Sequence, residues 1–163
     1  MTAIVYLGLG SNLGDRAGYL QAAISALARH GRVTAISSLY ESEPMYYTEQ
    51  PRFLNMATAF LTEIEPAPLL VALKDIEWTI GRDPAGPRNG PRVIDIDILF
   101  HGDRILLTPE LTIPHPRLAE RSFVLTPLSE IAPQLLHPVS RLTIAELRDR
   151  IGASDLKCMG PLS

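Results

Sequence analysis

The 163 residues are 46% hydrophobic and 20% charged, an ordinary globular balance for one domain able to bury a substantial core. A formal charge of −3 excludes a general nucleic-acid binder, and no apolar run is long enough to span a bilayer. One cysteine, Cys158, excludes an internal disulfide, and the opening residues carry no basic segment ahead of their short apolar run. The expectation is a cytoplasmic protein acting on small molecules, with no membrane, no nucleic acid and no obligate protein partner.

Residues 3–9 read as a largely buried strand. The run Gly8-Leu9-Gly10-Ser11-Asn12-Leu13-Gly14 has one residue too many before its last glycine for a dinucleotide fingerprint. It reads as a tight strand-to-helix connection. Asn12 or Asp15 caps a helix in which Leu20, Ile24 and Leu27 recur at helical spacing, with Gly31 past its end. Residues 33–41 predict a second strand, and 52–62 a third beyond a loop around Pro44 to Pro51. Pro66 and Pro68 introduce a helix in which Leu69, Leu73, Ile76 and Ile80 form one apolar stripe.

Residues 81–92 hold too much Gly and Pro for regular structure. Val93 to Phe100 predict a fourth strand, with a turn at 101–104 leading into 105–107. Two helices follow near 122–131 and 143–151, and the tail from about 153 is expected to be loose. Strand, helix, strand, strand, helix, strand is the order of an α+β ferredoxin-like sandwich, a mostly antiparallel sheet flanked by helices, here with C-terminal additions. One domain over 1–163 is expected.

Asp95-Ile96-Asp97 carries the strongest chemical signal. Strand alternation puts Val93, Asp95, Asp97 and Leu99 on one face and Ile94, Ile96, Ile98 and Phe100 on the other. The apolar set pins the strand, so the two carboxylates point the same way from α-carbons about 7 Å apart. Such a pair repels itself and suits oxygen-loving cations, whose pairing is a recurring device of phosphoryl chemistry. Just before it, Arg82, Arg88 and Arg92 sit in the Gly/Pro-rich segment of an otherwise acidic chain, and arginine forks match phosphate oxygens. A lid over a metal-bound polyphosphate accounts for both features.

On 52–61, Asn55 interrupts an apolar face beside Phe53. An amide suits the edge of a heterocycle and a phenyl ring its plane, but a structural Asn at a sheet margin fits equally. His115 between two prolines and Arg121 near a helix start are candidates for nucleotide contact, the His also for a rigid turn. Lys74 and Glu77, three apart on the exposed side of the second helix, read as a pair.

Arg88-Asn89-Gly90-Pro91-Arg92-Val93-Ile94-Asp95-Ile96-Asp97-Ile98-Leu99 closely resembles the signature of the 6-hydroxymethyl-7,8-dihydropterin pyrophosphokinases of folate biosynthesis. Gly10 to Gly14, Tyr40 to Pro44, Gln50 to Asn55, Ile113 to Arg117, Arg121 to Phe123 and Pro127 to Pro133 extend the resemblance over nearly the whole chain. It implies transfer of pyrophosphate from ATP to the pterin hydroxymethyl group, with AMP leaving. It further implies that Asp95 and Asp97 hold two Mg²⁺ ions and that Arg82 and Arg92 stabilise charge during transfer. Lys74, Glu77, Arg88, Arg92, Ile98, Thr112, His115 and Arg121 would contact ATP. Phe53 and Phe123 would sandwich the pterin, Asn55 bind its edge, and Ser42, Glu43 and Met45 line the pocket.

Four positions depart from the family pattern: Asn89 where an aromatic residue is common, Pro84 for a second arginine, Phe53 for Tyr, and Pro116 for an aromatic. They bear on lid closure and rates. Asp-x-Asp also serves glycosyltransferases that hold sugar nucleotides, but those enzymes are usually larger. A binding module that had lost turnover is the other alternative.

Overall fold

The computed structural model describes residues 2–43, 51–81, 93–152 and 154–162. Strand β1 (Ala3–Ser11) is central, with Val5, Leu7 and Leu9 buried at every second position. Helix α1 (Arg16–Leu27) starts at Asp15, whose side chain accepts from the Gly18 backbone N–H at 3.1 Å. Leu20, Ala23 and Leu27 form its buried stripe.

Strand β2 (Arg32–Ile36) and strand β3 (Leu39–Ser42) replace the single strand expected over 33–41. The break has a local cause. Ser37 donates its backbone N–H to the Ala57 carbonyl, but its hydroxyl accepts from the Ala57 N–H at 2.9 Å, so a side chain stands in the ladder. Strand β4 (Phe53–Thr62) therefore pairs with β2 along its C-terminal half and with β3 along its N-terminal half.

Helix α2 (Pro66–Gly81) buries Leu69, Leu73 and Ile76 as the periodicity predicts. Strand β5 (Asp95–His101) pairs with β1, and β1 pairs with β4, all antiparallel. Beyond β5 come a small hairpin, β6 (Leu106–Leu107) with β7 (Thr112–Ile113), a 3₁₀ turn at Leu118–Glu120, and helices α3 (Ser122–Ile131) and α4 (Ile144–Ile151). Strand β8 (Lys157–Gly160) pairs with β3. The sheet thus reads β5-β1-β4-β3-β8, with β2 also on β4.

Two further expectations need correction. The tail beyond residue 153 carries β8, because the outer edge of β3 offers unpaired backbone groups that this segment satisfies. The glycine-rich run is strand as far as Ser11, and only the residues after it turn into α1.

Helices α1 and α2 cover one face of the sheet, over Val5, Leu7, Leu9, Leu54, Met56, Phe60, Ile94, Ile96 and Ile98. Each such fully buried side chain contributes roughly 1.5–3 kcal/mol. Helices α3 and α4 cover part of the opposite face, over Ala57, Leu99 and Phe100. Phe100 was expected beside the isoleucines. The pairing slips between Tyr6/Leu7, which face Phe100 and Ile98, so Leu99 is an extra residue that reverses the alternation after it. Phe100 thereby meets Tyr6 edge-on at 6.4 Å, and His101 turns to the other side, donating Nε2–H to the Ile64 carbonyl at 2.9 Å. Among the described residues no helix is long and apolar enough to cross a membrane.

Candidate active site

The slip lies beyond the aspartates, so Asp95 and Asp97 keep the alternation of β5 and project on the face opposite the isoleucine core. Across β1 they stand opposite Gly10 and Gly8, and across β4 those glycines stand opposite Asn55 and Ala57. Residues directly paired share a face. Gly10 leaves the sheet without a side chain between Asp95 and Asn55, where a Cβ would lie 3.5 Å from both Asn55 Oδ1 and Phe53, whereas the Leu99 side chain covers Gly8. A planar ring therefore has a flat floor here.

Burial, with the neighbouring Asp95 charge added, pushes the Asp97 carboxyl up to about 7, against the opposing pull of Lys74 and Arg121. Glu77 is also raised, chiefly by burial. Its Oε2 accepts from the Ile96 backbone N–H at 2.7 Å and its Oε1 from Lys74 Nζ at 3.2 Å. No group of three or more metal-ligating side chains occurs among the described residues. Two carboxylates are the usual protein share of a Mg²⁺ site, the remaining positions going to phosphate and water. The donor set fits that ion.

Along the edge of β5 runs a cavity of about 270 Å³, lined by Leu70 and Lys74 of α2, Asp97 and Ile98 of β5, and Thr112 and His115 beyond. His115 is fixed by its backbone, whose N–H donates to the Leu99 carbonyl at 3.0 Å. Its Nδ1 accepts from the Arg117 backbone N–H at 3.2 Å, which leaves the proton on Nε2. Burial and the Arg121 charge hold its pKa down to about 4, so the ring is neutral at pH 7.

At the other end of the floor, Asn55 is almost fully buried. Its Nδ2 donates to Ser42 Oγ at 2.8 Å and to the Tyr40 carbonyl at 3.0 Å, which fixes the amide's orientation. Strand β3 is held in turn by α3. The Glu130 carboxylate accepts from Tyr40 OH at 2.6 Å and from the Ser38 N–H at 2.9 Å. Arg121, capping α3, lies 5.6 Å over the Phe123 ring. Arg52 pairs with Glu43 at 2.7 Å.

The profile of the 7,8-dihydro-6-hydroxymethylpterin-pyrophosphokinase (HPPK) family matches residues 6–133. The chain belongs to that family. It is 44% identical over 137 residues to the 2-amino-4-hydroxy-6-hydroxymethyldihydropteridine pyrophosphokinase of Bacillus subtilis, covering 83% of this chain and 81% of the relative. It is 41% identical over 146 residues to the same-named protein of Aquifex aeolicus, covering 90% and 91%. It is also 44% identical over 158 residues to the folic acid synthesis protein fol1 of Pneumocystis carinii, covering 96% of this chain but 21% of the relative. The chain thus spans about a fifth of the length of that relative and of the Dictyostelium discoideum folic acid synthesis protein FOL1, at 22%. The Plasmodium falciparum HPPK-DHPS crystal structure shares the fold at TM-score 0.74 and 19% identity, over 92% of this chain and 43% of that one. The family and the Bacillus and Aquifex relatives are named for pyrophosphokinase activity, and the two longer relatives for folic acid synthesis.

Within this HPPK fold, Lys74, Ile98, Thr112 and His115 meet Asp97 around one cavity, and Ser42, Phe53 and Asn55 meet at the far end of the floor. Arg82, Arg88, Arg92 and Met45 lie outside the described residues, as do Pro84 and Asn89. The Lys74–Glu77 pair forms, but not on an exposed face: the Glu77 side chain is 14% exposed against 55% for Lys74. Leu70 escaped the sequence reading, although, as an apolar residue four before Lys74, it lies on the same side of α2 and is half-buried against the cavity. Leu111, also on the cavity wall, carried no such signal.

Proposed function

We propose that this chain transfers the β,γ-pyrophosphoryl group of ATP to the hydroxymethyl oxygen of 6-hydroxymethyl-7,8-dihydropterin, with Mg²⁺ held by Asp95 and Asp97. The observation that supports it is the position of the two aspartates, at the junction between the cavity along β5 and the glycine floor that leads to Asn55. The nucleotide enters the cavity with its phosphates toward Asp97, and the pterin lies over Gly10 with its edge at Asn55.

Bound Mg²⁺ supplies neutralisation of the polyphosphate charge and orientation of its oxygens. The remaining work is positional. Lys74 and Arg121 place positive charge beside Asp97, and neutral His115 donates from Nε2 into the cavity. Phe53 and Phe123 hold the ring plane, while the Asn55 amide, with its nitrogen held by Ser42 and Tyr40, offers Oδ1 to a ring N–H. In the reaction the pterin oxygen bonds to the β-phosphorus and the bond from that phosphorus to the α,β-bridging oxygen breaks. AMP leaves with that oxygen, and the hydroxyl proton passes to solvent. Arg82 and Arg92 complete the charge stabilisation in this reading. The setting proposed is cytoplasmic.

Incubation with ATP, Mg²⁺ and the pterin, with the nucleotides resolved, tests it. AMP formed only when the pterin is present is the expected result. ADP in its place makes the protein a simple kinase, and no turnover by folded protein makes it a binding module.

A further inference from the structure

Glu77 stands three residues after Lys74 on α2, with a largely buried side chain. A buried carboxylate needs partners, and Glu77 has one for each oxygen: the Ile96 backbone N–H at 2.7 Å and the Lys74 ammonium at 3.2 Å. Ile96 is the residue between Asp95 and Asp97. Among the described residues strand β5 ends the sheet, paired with β1 on one side, and its outer backbone groups have no ladder partner there. A charge-assisted bond to the middle of the Asp-Ile-Asp segment is roughly twice as strong as a neutral one.

We infer that Glu77 is a positioning residue, anchoring the outer edge of β5 at Ile96 and thereby fixing where Asp95 and Asp97 stand. The same carboxylate aims Lys74 along the cavity. This rests on the reading of the two aspartates as Mg²⁺ ligands. Glu77 acts through Ile96 and Lys74, a role beyond the ATP contact that the family resemblance implies for it. The anchor works across the sheet edge: α2 lies over the isoleucine face, yet through this one side chain it controls the carboxylates on the other.

Two variants of matched volume separate the roles. Glu77→Met removes the acceptor, and Glu77→Gln keeps an oxygen for Ile96 while losing the negative charge. Amide exchange at Ile96 by NMR reads the anchor without any metal. Electron paramagnetic resonance of Mn²⁺, titrated with a non-hydrolysable ATP analogue present, reads the carboxylate pair. Faster Ile96 exchange in Glu77→Met, with a Mn²⁺ dissociation constant raised roughly 10–100-fold, is expected. In Glu77→Gln the Ile96 protection stays and the constant moves by no more than about threefold, since the oxygen that accepts from Ile96 is kept.

Native Mn²⁺ binding by Glu77→Met overturns the inference. So does a Glu77→Gln variant that loses Mn²⁺ equally while Ile96 stays protected, because charge or a nucleotide contact would then be the cause. Free exchange of Ile96 in Glu77→Gln overturns it as well. If wild-type protein with the analogue binds no Mn²⁺, the metal assignment itself fails, and Ile96 exchange still decides the anchor.

Discussion

Asp95 and Asn55 lie opposite the same residue, Gly10, one on each side of β1, and project from the same face of the sheet. Two strand spacings separate them, about 10 Å. That is the span of a bicyclic ring with a one-carbon arm, so one molecule can reach both.

Gly10→Ala tests the floor between them. The added Cβ would meet its neighbours at 3.5 Å, ordinary contact, so the fold accepts it. Stability should hold or rise by about 0.5–1 kcal/mol, the usual gain when a strand glycine becomes alanine. Pterin affinity should fall by roughly 1–3 kcal/mol, as for overpacking of a fitted site. Thermal melts and a pterin titration measure the two. Unchanged affinity would place the ring elsewhere.

Asp97→Asn should abolish turnover with the fold intact, and the pH dependence of stability follows from the raised carboxyl. The native carboxyl binds its proton up to about 7 against 3.8 for a free aspartate, so in metal-free protein its contribution is fully present below about 4 and is lost as pH rises to about 7. His115 acts the opposite way, its contribution being lost as pH falls from 6.5 to about 4. The difference between wild type and Asp97→Asn cancels the His115 part. Urea unfolding at pH 4.5 and 7.5 should show the variant gaining on wild type at the higher pH. A constant difference would contradict the raised Asp97 carboxyl.

Phe123→Ala should weaken pterin binding by roughly 1–3 kcal/mol, the scale of lost stacking and burial. Arg121 rests over the Phe123 ring, so nucleotide affinity should also fall, but by less. Equilibrium titrations with each ligand separate the two, and a larger nucleotide loss would mean that the ring serves mainly to seat Arg121.

Glu130→Ala removes the acceptor shared by Ser38 and Tyr40 and frees β3 from α3. A loss of about 1–3 kcal/mol in urea denaturation is expected, given partly exposed bonds. Pterin affinity should drop too, because β3 orients Asn55 through the Tyr40 carbonyl and Ser42. Loss of stability alone would show that Asn55 is held without β3.

The local alternation of Asp95-Ile96-Asp97 was legible in the sequence because a two-residue period needs only neighbours, and α2 and α3 were legible for the same reason at helical spacing. Phe100 was misplaced because a bulge is fixed by the partner strand β1, of which residues 93–100 carry no record. The loose tail proved to be a strand because pairing depends on the free edge of β3, more than a hundred residues earlier.

The sequence by itself determined the family, the two like-charged side chains on one strand face, and the placing of β1, β4, β5 and the four α-helices along the chain, all of which rest on residue identity and short-range periodicity. Only the tertiary structure decided that Gly10 clears a floor between Asp95 and Asn55, that Glu77 turns inward to Ile96, and that Leu70 and Leu111 wall the cavity. These are pairings across the chain, set by strand register and by the need of each buried polar group for a partner.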